Sequence, residues 1–117
     1  MKKFVAIYRV PVELAEEWRK KTSPEEMKAQ SEKLGAEFIA WMKKYDKQLV
    51  DKGLPLGKNT RLTSEGAKAV TNDLNYYCVV EAESIDDAVA IFKEGSHMQI
   101  PGAFIDIMEV PHMGPQS

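Results

Sequence analysis

Cysteine is nearly absent from this chain: Cys78 stands alone among 117 residues. No internal disulfide can form, so the fold must rest on packing, and a reducing compartment suits it. Histidine is almost as scarce, with only His97 and His112. Two histidines and one cysteine make no ligand set of recognisable spacing, and the expectation is a protein with no metal and no other cofactor. No apolar run approaches the roughly 18 residues of a membrane span, and Met1-Lys2-Lys3 enters a short strand pattern without a cleavage site. A cytoplasmic protein without membrane contact is expected. An excess of one charge is missing too. Sixteen basic and eighteen acidic side chains are interleaved along the chain, which leaves no basic stripe for a phosphate backbone and argues against nucleic acid. The glycines form no phosphate cradle, and no serine stands in a nucleophile elbow.

What is present suits one small α+β domain. A hydrophobic content of 44% over this length predicts a single domain over residues 1–111, with a flexible tail over 112–117. Phe4 to Val10 is a β-branched and aromatic run stopped by Pro11. Both faces of that strand are largely apolar, as in a sheet covered on two sides. Val12 to Lys21 reads as a short helical turn. Ser23-Pro24-Glu25-Glu26 then supplies an N-cap serine, a first-turn proline and a glutamate at the third position. Met27, Leu34, Phe38, Trp41, Met42 and Tyr45 trace one apolar face of the helix that follows. Gly35 within it either marks a kink or admits another backbone. Leu49 and Val50 either continue the helix or begin an extended piece, and Gly53-Leu54-Pro55 ends it.

Leu56 to Thr63 has weak strand character, and Ser64 to Asn75 reads as a polar segment with turns. Tyr76 to Val80 is a strong strand. Ser84 and Asp87 cap a helix carrying Ala88, Ile91 and Phe92, which stops at Gly95. A loop over residues 96–102 leads into a last strand, Ala103 to Val110, closed by Pro111. The order βαββαβ predicts a ferredoxin-like domain, an antiparallel sheet with helices on one face. Strands apolar on both sides leave an uncovered face, so a homodimer is expected. A charge on that outer face, such as Val80→Asp, is expected to break it.

These residues also carry a resemblance. Lys3-Phe4-Val5-Ala6-Ile7-Tyr8-Arg9 resembles the opening strand of the YCII-related family, and Ser23-Pro24-Glu25-Glu26-Met27 the helix opening of its DGPF-type branch. Tyr76 to Ala88 is similar to that branch's central strand and second helix. His97-Met98-Gln99-Ile100-Pro101-Gly102 with Ile105-Asp106-Ile107 resembles its closing loop and strand. The likeness spans most of residues 3 to 110. It implies a dimeric α+β barrel, in a superfamily that includes small monooxygenases, isomerases and proteins without known activity. Two departures stand out. Ser64 to Val70 occupies the place of the Asp-Gly-Pro-Phe signature, and positions 23 to 34 lack the histidine of the family's proposed histidine-aspartate pair. A catalytic role carried over from that pair is void here.

Five residues are left as candidates for a small-molecule site. Asp106 lies between Phe104 and Met108 on one strand face, where a partly desolvated carboxylate can act as general base, orient a ligand or sit in a structural ion pair. Arg9 ends the first strand and can hold an anionic ligand group or pair with Asp106 or Glu81. His97 can shuttle a proton near neutral pH, or can simply favour the end of the preceding helix. Tyr8 and Tyr76 can line an aromatic cavity or belong to the core. Two functions remain open: a binding or accessory module, or an enzyme using cofactor-free acid-base or oxygen chemistry in a pocket between sheet and helices.

Overall fold

Residues 1–111 are described in a computed structural model of the protein, and the expected tail at 112–117 lies outside the described residues. The β-branched opening run forms β1 (Lys2–Arg9), and α1 (Val12–Lys21) follows at once. Ser23 caps α2 (Pro24–Lys44), its hydroxyl accepting from the Glu26 amide at 3.2 Å. A Cβ built at Gly35 meets nothing within 4 Å, so no neighbouring backbone requires glycine there. The extended reading of Leu49 holds, since Leu49–Asp51 is a short strand, β2.

Asn59–Thr63 (β3) and Gly66–Val70 (β4) follow, then β5 (Leu74–Ala82), α3 (Ile85–Lys93), a 3-10 turn at Ser96–Gln99 and β6 (Phe104–Glu109). Ser84 caps α3 by accepting from the Asp87 amide.

The main sheet runs β2-β5-β1-β6, and each neighbouring pair is antiparallel. Taken in chain order, its four strands have the ferredoxin-like arrangement 2-3-1-4. The segment expected to be the second sheet strand does not occupy that place. Leu49–Asp51 takes it, because Leu49 is the residue that buries beside Val80. β3 instead pairs with β4 in a separate two-stranded ribbon, and β4 falls inside the stretch expected to be turns. Gly53 makes the departure from β2 possible. Its φ of 76° is left-handed, Asp51 Oδ1 accepts its amide at 2.8 Å, and a Cβ there would lie 1.5 Å from the Tyr77 carbonyl oxygen.

Period-2 alternation sorts the sheet into two unlike faces. Phe4, Ala6, Tyr8, Cys78, Val80 and Ala82 are buried against Trp41 of α2 and Ala88, Ile91 and Phe92 of α3. The opposite face carries Val5, Ile7, Tyr77 and Val79, all half-buried, with Phe104 and Met108 exposed, in register across β5, β1 and β6, and the buried core lies wholly on the other side. Val80, expected on the outer face, is therefore a core residue at 0% exposure, and Val79 is the outward one. Both neighbours in that strand are valine, so alternation alone could not set the phase.

Candidate functional site

The antiparallel register brings the end of β1 beside the start of β6 and the start of β5, and three charged side chains meet there on the uncovered face. Arg9 donates through Nε to Asp73 Oδ1 at 2.9 Å and through Nη1 to Asp106 Oδ2 at 2.9 Å. Its Nη2 lies 2.8 Å from the same Asp73 oxygen, and the guanidinium stacks 5.6 Å from the Phe104 ring centroid. The bonds to Asp73 first, and then to Asp106, hold the guanidinium still more firmly protonated than usual. The three side chains keep between 24% and 44% of their surface, so water and a ligand both have access. Glu81, the other partner considered for Arg9, stands across Lys3 at the far end of the sheet.

Asp73 is the member that sequence reasoning missed. It lies within the polar segment, Ser64 to Asn75, that the sequence marks only for turns. Asn72 Oδ1 does accept from the Leu74 amide at 2.9 Å, and the Asp73 carbonyl accepts from the Val10 amide at 3.0 Å. That second bond ties the turn to the end of β1 and aims Asp73 at Arg9. An antiparallel β1–β5 pairing was the signal available, since it puts any acid just ahead of β5 beside the last residue of β1.

His97 belongs to the other side of the sheet. Its Nε2 lies 3.1 Å from the backbone carbonyl oxygens of both Arg9 and Phe104, so Nε2 carries the proton and donates to both. Its ring meets Tyr8 edge-on at 4.9 Å. Burial holds its pKa below the ordinary histidine value, against the smaller opposing pull of the two carbonyls. His97 therefore reaches Arg9 through the main chain, while the guanidinium and Asp106 face away from it.

The sign of the pH effect follows. Unfolded chains bind a proton at His97 near the ordinary pKa, and the folded chain binds it only at lower pH. The stability due to neutral His97 is thus complete above about pH 6.5 and is lost as pH falls through the lowered folded value. Urea unfolding of wild type should show a stability that declines below about pH 6.5, and His97→Gln should remove that part of the decline. An unchanged slope in the variant would show that His97 titrates as it does in the unfolded chain.

Tyr8 and Tyr76 also lie on the helix side, in register with each other across β1 and β5. Tyr8 packs edge-on against Phe38, Tyr76 and Phe92 at centroid distances of 5.6–6.1 Å. Burial is the main cause that raises its pKa, with Cys78 the next, so its hydroxyl stays neutral. Burial likewise pushes the Cys78 thiol up to about 12, which makes it a poor nucleophile. The Tyr76 hydroxyl is committed to the Lys52 carbonyl oxygen at 2.7 Å. Around these residues the space between sheet and helices is filled by aromatic rings in mutual contact. The five candidates therefore separate into a polar group on the open face, Arg9 and Asp106 joined by Asp73, and a buried group, Tyr8, Tyr76 and His97.

No cluster of three or more acidic, histidine or cysteine side chains suited to a metal ion occurs among the described residues. No helix of the described chain is long and apolar enough to cross a membrane.

No protein-family model and no curated protein matches the sequence. Among solved structures, the fold is similar to that of 5-chloro-2-hydroxyhydroquinone dehydrochlorinase from Burkholderia phenoliruptrix, solved in complex with 2,5-dihydroxybenzoquinone. The TM-score is 0.57 over 97% of this chain and 96% of that one, at 14% sequence identity. The two proteins share a fold, and the α+β ferredoxin-like architecture is common to both.

Proposed function

We propose that this protein is a YCII-related homodimer, an α+β barrel of one domain per chain that binds a small molecule. One observation carries the reading: an uncovered apolar sheet face that ends in the Arg9–Asp73–Asp106 group. The chain is a slab of 52 × 44 × 19 Å with a radius of gyration of 16.3 Å, against roughly 13 Å for a compact domain of similar length. It exposes 8453 Å², whereas a 13.2 kDa monomer exposes roughly 6,400 Å². The open sheet face and the bare β3–β4 ribbon both contribute to that excess, on the order of 2,000 Å². A second sheet laid on the first supplies the missing cover and leaves Arg9 and Asp106 at the mouth of the space between them. Arg9 offers a planar donor for an oxygen-bearing ligand, and Phe104 offers a ring face.

Binding is favoured over catalysis because the groups able to move protons are otherwise engaged. His97 spends Nε2–H on two carbonyls, Tyr8 is buried and Tyr76 is bonded to Lys52. The quinone named with the structural neighbour motivates the second reading, an enzyme acting without a cofactor on a small oxygenated ring. Asp106 would be its base.

Native mass spectrometry of gently purified protein, before and after addition of 2,5-dihydroxybenzoquinone, tests the proposal. A dimer carrying a discrete extra mass is expected. Asp106→Asn should lower that occupancy about tenfold while costing less than about 1 kcal/mol of stability, the worth of a half-exposed ion pair. A monomer would end the barrel reading. A dimer that takes up neither a native ligand nor the quinone would end the ligand reading.

A further inference from the structure

We infer that the β3–β4 ribbon is an intersubunit arm whose cationic face docks on the open sheet face of a second copy of this chain. The inference rests on the homodimer proposed above. Every residue of the ribbon except its end residues Asn59 and Val70 is exposed, and Leu62 keeps 79% of its surface. A two-stranded hairpin standing alone in water is marginal at best, so a ribbon this bare calls for a partner surface.

Its charges say which one. Arg61 and Lys68 are directly opposed in the ribbon's register, an arrangement that destabilises a hairpin unless an anion offsets it. No carboxylate among the described residues lies within ion-pair distance of either. The two cations line an open groove of about 440 Å³ together with Thr63, Glu65, Gly66 and Ala67. Residues 57–72 hold Lys58, Arg61 and Lys68 against Glu65, a net charge of +2, so a chain of net charge −2 carries −4 elsewhere. The open sheet face has carboxylates to receive them. Asp51 and Glu81 both lie on it, Glu81 opposite Lys3 and Asp51 accepting only neutral donors, from the Tyr77 hydroxyl and the Gly53 amide.

Reach is sufficient as well. Leu56 donates to the Asn75 carbonyl and Pro55 bridges Tyr76, which anchors the arm's base beside β5. Strands of five residues extend about 17 Å, and a four-stranded sheet is about 14 Å across from first to last strand. In a two-fold dimer the contact occurs twice, each arm reaching the β2–β5 edge of the other subunit's open face, where Asp51 and Glu81 stand, while the sheets cover the rest. The same surface that makes the chain a slab would then be closed partly by sheet and partly by arm.

Two measurements on the full chain test the arm separately from the dimer. The first is carbodiimide coupling of an exchanged mixture of ¹⁵N-labelled and unlabelled protein. It should join Lys68 of one isotope to Asp51 or Glu81 of the other, and coupling confined to one isotope would overturn the arm. The second is sedimentation of the double variant Arg61→Glu/Lys68→Glu, whose dimer dissociation constant should rise about tenfold or more. A wild-type dimer whose constant the variant leaves unchanged overturns the arm and leaves the homodimer standing, whereas a wild-type monomer overturns both. An unchanged constant with loss of retention on heparin would assign the arm to a polyanionic partner and overturn the proposal.

Discussion

Val79→Asp should convert the proposed homodimer into a folded monomer. Val79 lies on the open face between Val5 of β1 and Asp51 of β2, and none of its neighbours in the helical layer would change. A carboxylate pressed between two sheets without a partner costs roughly 3–5 kcal/mol, and a two-fold interface meets that cost twice. The dissociation constant should therefore rise at least about ten-thousandfold, which analytical ultracentrifugation would register as a shift to the monomer mass. Far-ultraviolet circular dichroism should stay the same. Val80→Asp provides the contrast, since Val80 is fully buried beneath the helices and its substitution should unfold the chain. A Val79→Asp protein that remained dimeric would show that the open sheet face is not where the subunits meet.

That pair of adjacent valines marks the limit of what could be read from the sequence. Strand β5 was legible because its centre, Tyr76-Tyr77-Cys78-Val79-Val80, is aromatic and β-branched apart from one cysteine, and α3 because Ser84, Asp87 and Gly95 bracket an apolar stripe. The Ser23 cap was equally direct, and its hydrogen bond to Glu26 forms as the pattern implies. The doubly apolar character of β1 and β5 predicts two covered faces, of which the helices cover one. It could not tell which residues meet the helices, because a period-2 pattern with apolar residues in both phases has no sign.

The second sheet strand was obscured for a different reason. Leu49–Asp51 is three residues long and follows a helix-forming run, so local propensity argued against a strand that tertiary pairing with β5 supplies. The ribbon strand Gly66–Val70 contains two alanines, a lysine and a glycine, and only its pairing with β3 makes it a strand. At the site, Arg9 and Asp106 are legible as polar residues on apolar strands, and the sequence admits an ion pair between them, which forms. Asp73 depends on a register spanning 64 residues, and the burial of His97 depends on carbonyls 88 residues back and 7 residues ahead. Such long-range geometry has no local signature.

Trp41→Ala should be the most damaging single truncation on the helical side, with a loss of about 3–5 kcal/mol of unfolding free energy. Trp41 is the buried residue of α2. Its ring stacks on Phe38 at 5.7 Å, meets Phe92 at 5.4 Å and Tyr45 at 5.9 Å, and so joins α2 to α3 above the sheet. The indole Nε1–H also donates to the Ile91 carbonyl at 2.8 Å, one of the last four carbonyls of α3 that the helix itself leaves without a partner. Alanine removes both functions. Trp41→Phe separates them, because it keeps most of the ring contact but strands the carbonyl, and it should cost about 1–3 kcal/mol. Domains of this kind have only about 5–15 kcal/mol in total. The alanine protein should consequently unfold at much lower urea and carry the proposed dimer and its ligand uptake down with it, whereas Val79→Asp should lose the proposed dimer at unchanged core packing. A Trp41→Ala chain within about 1 kcal/mol of wild type would mean that the helical layer is held to the sheet by something other than this aromatic junction.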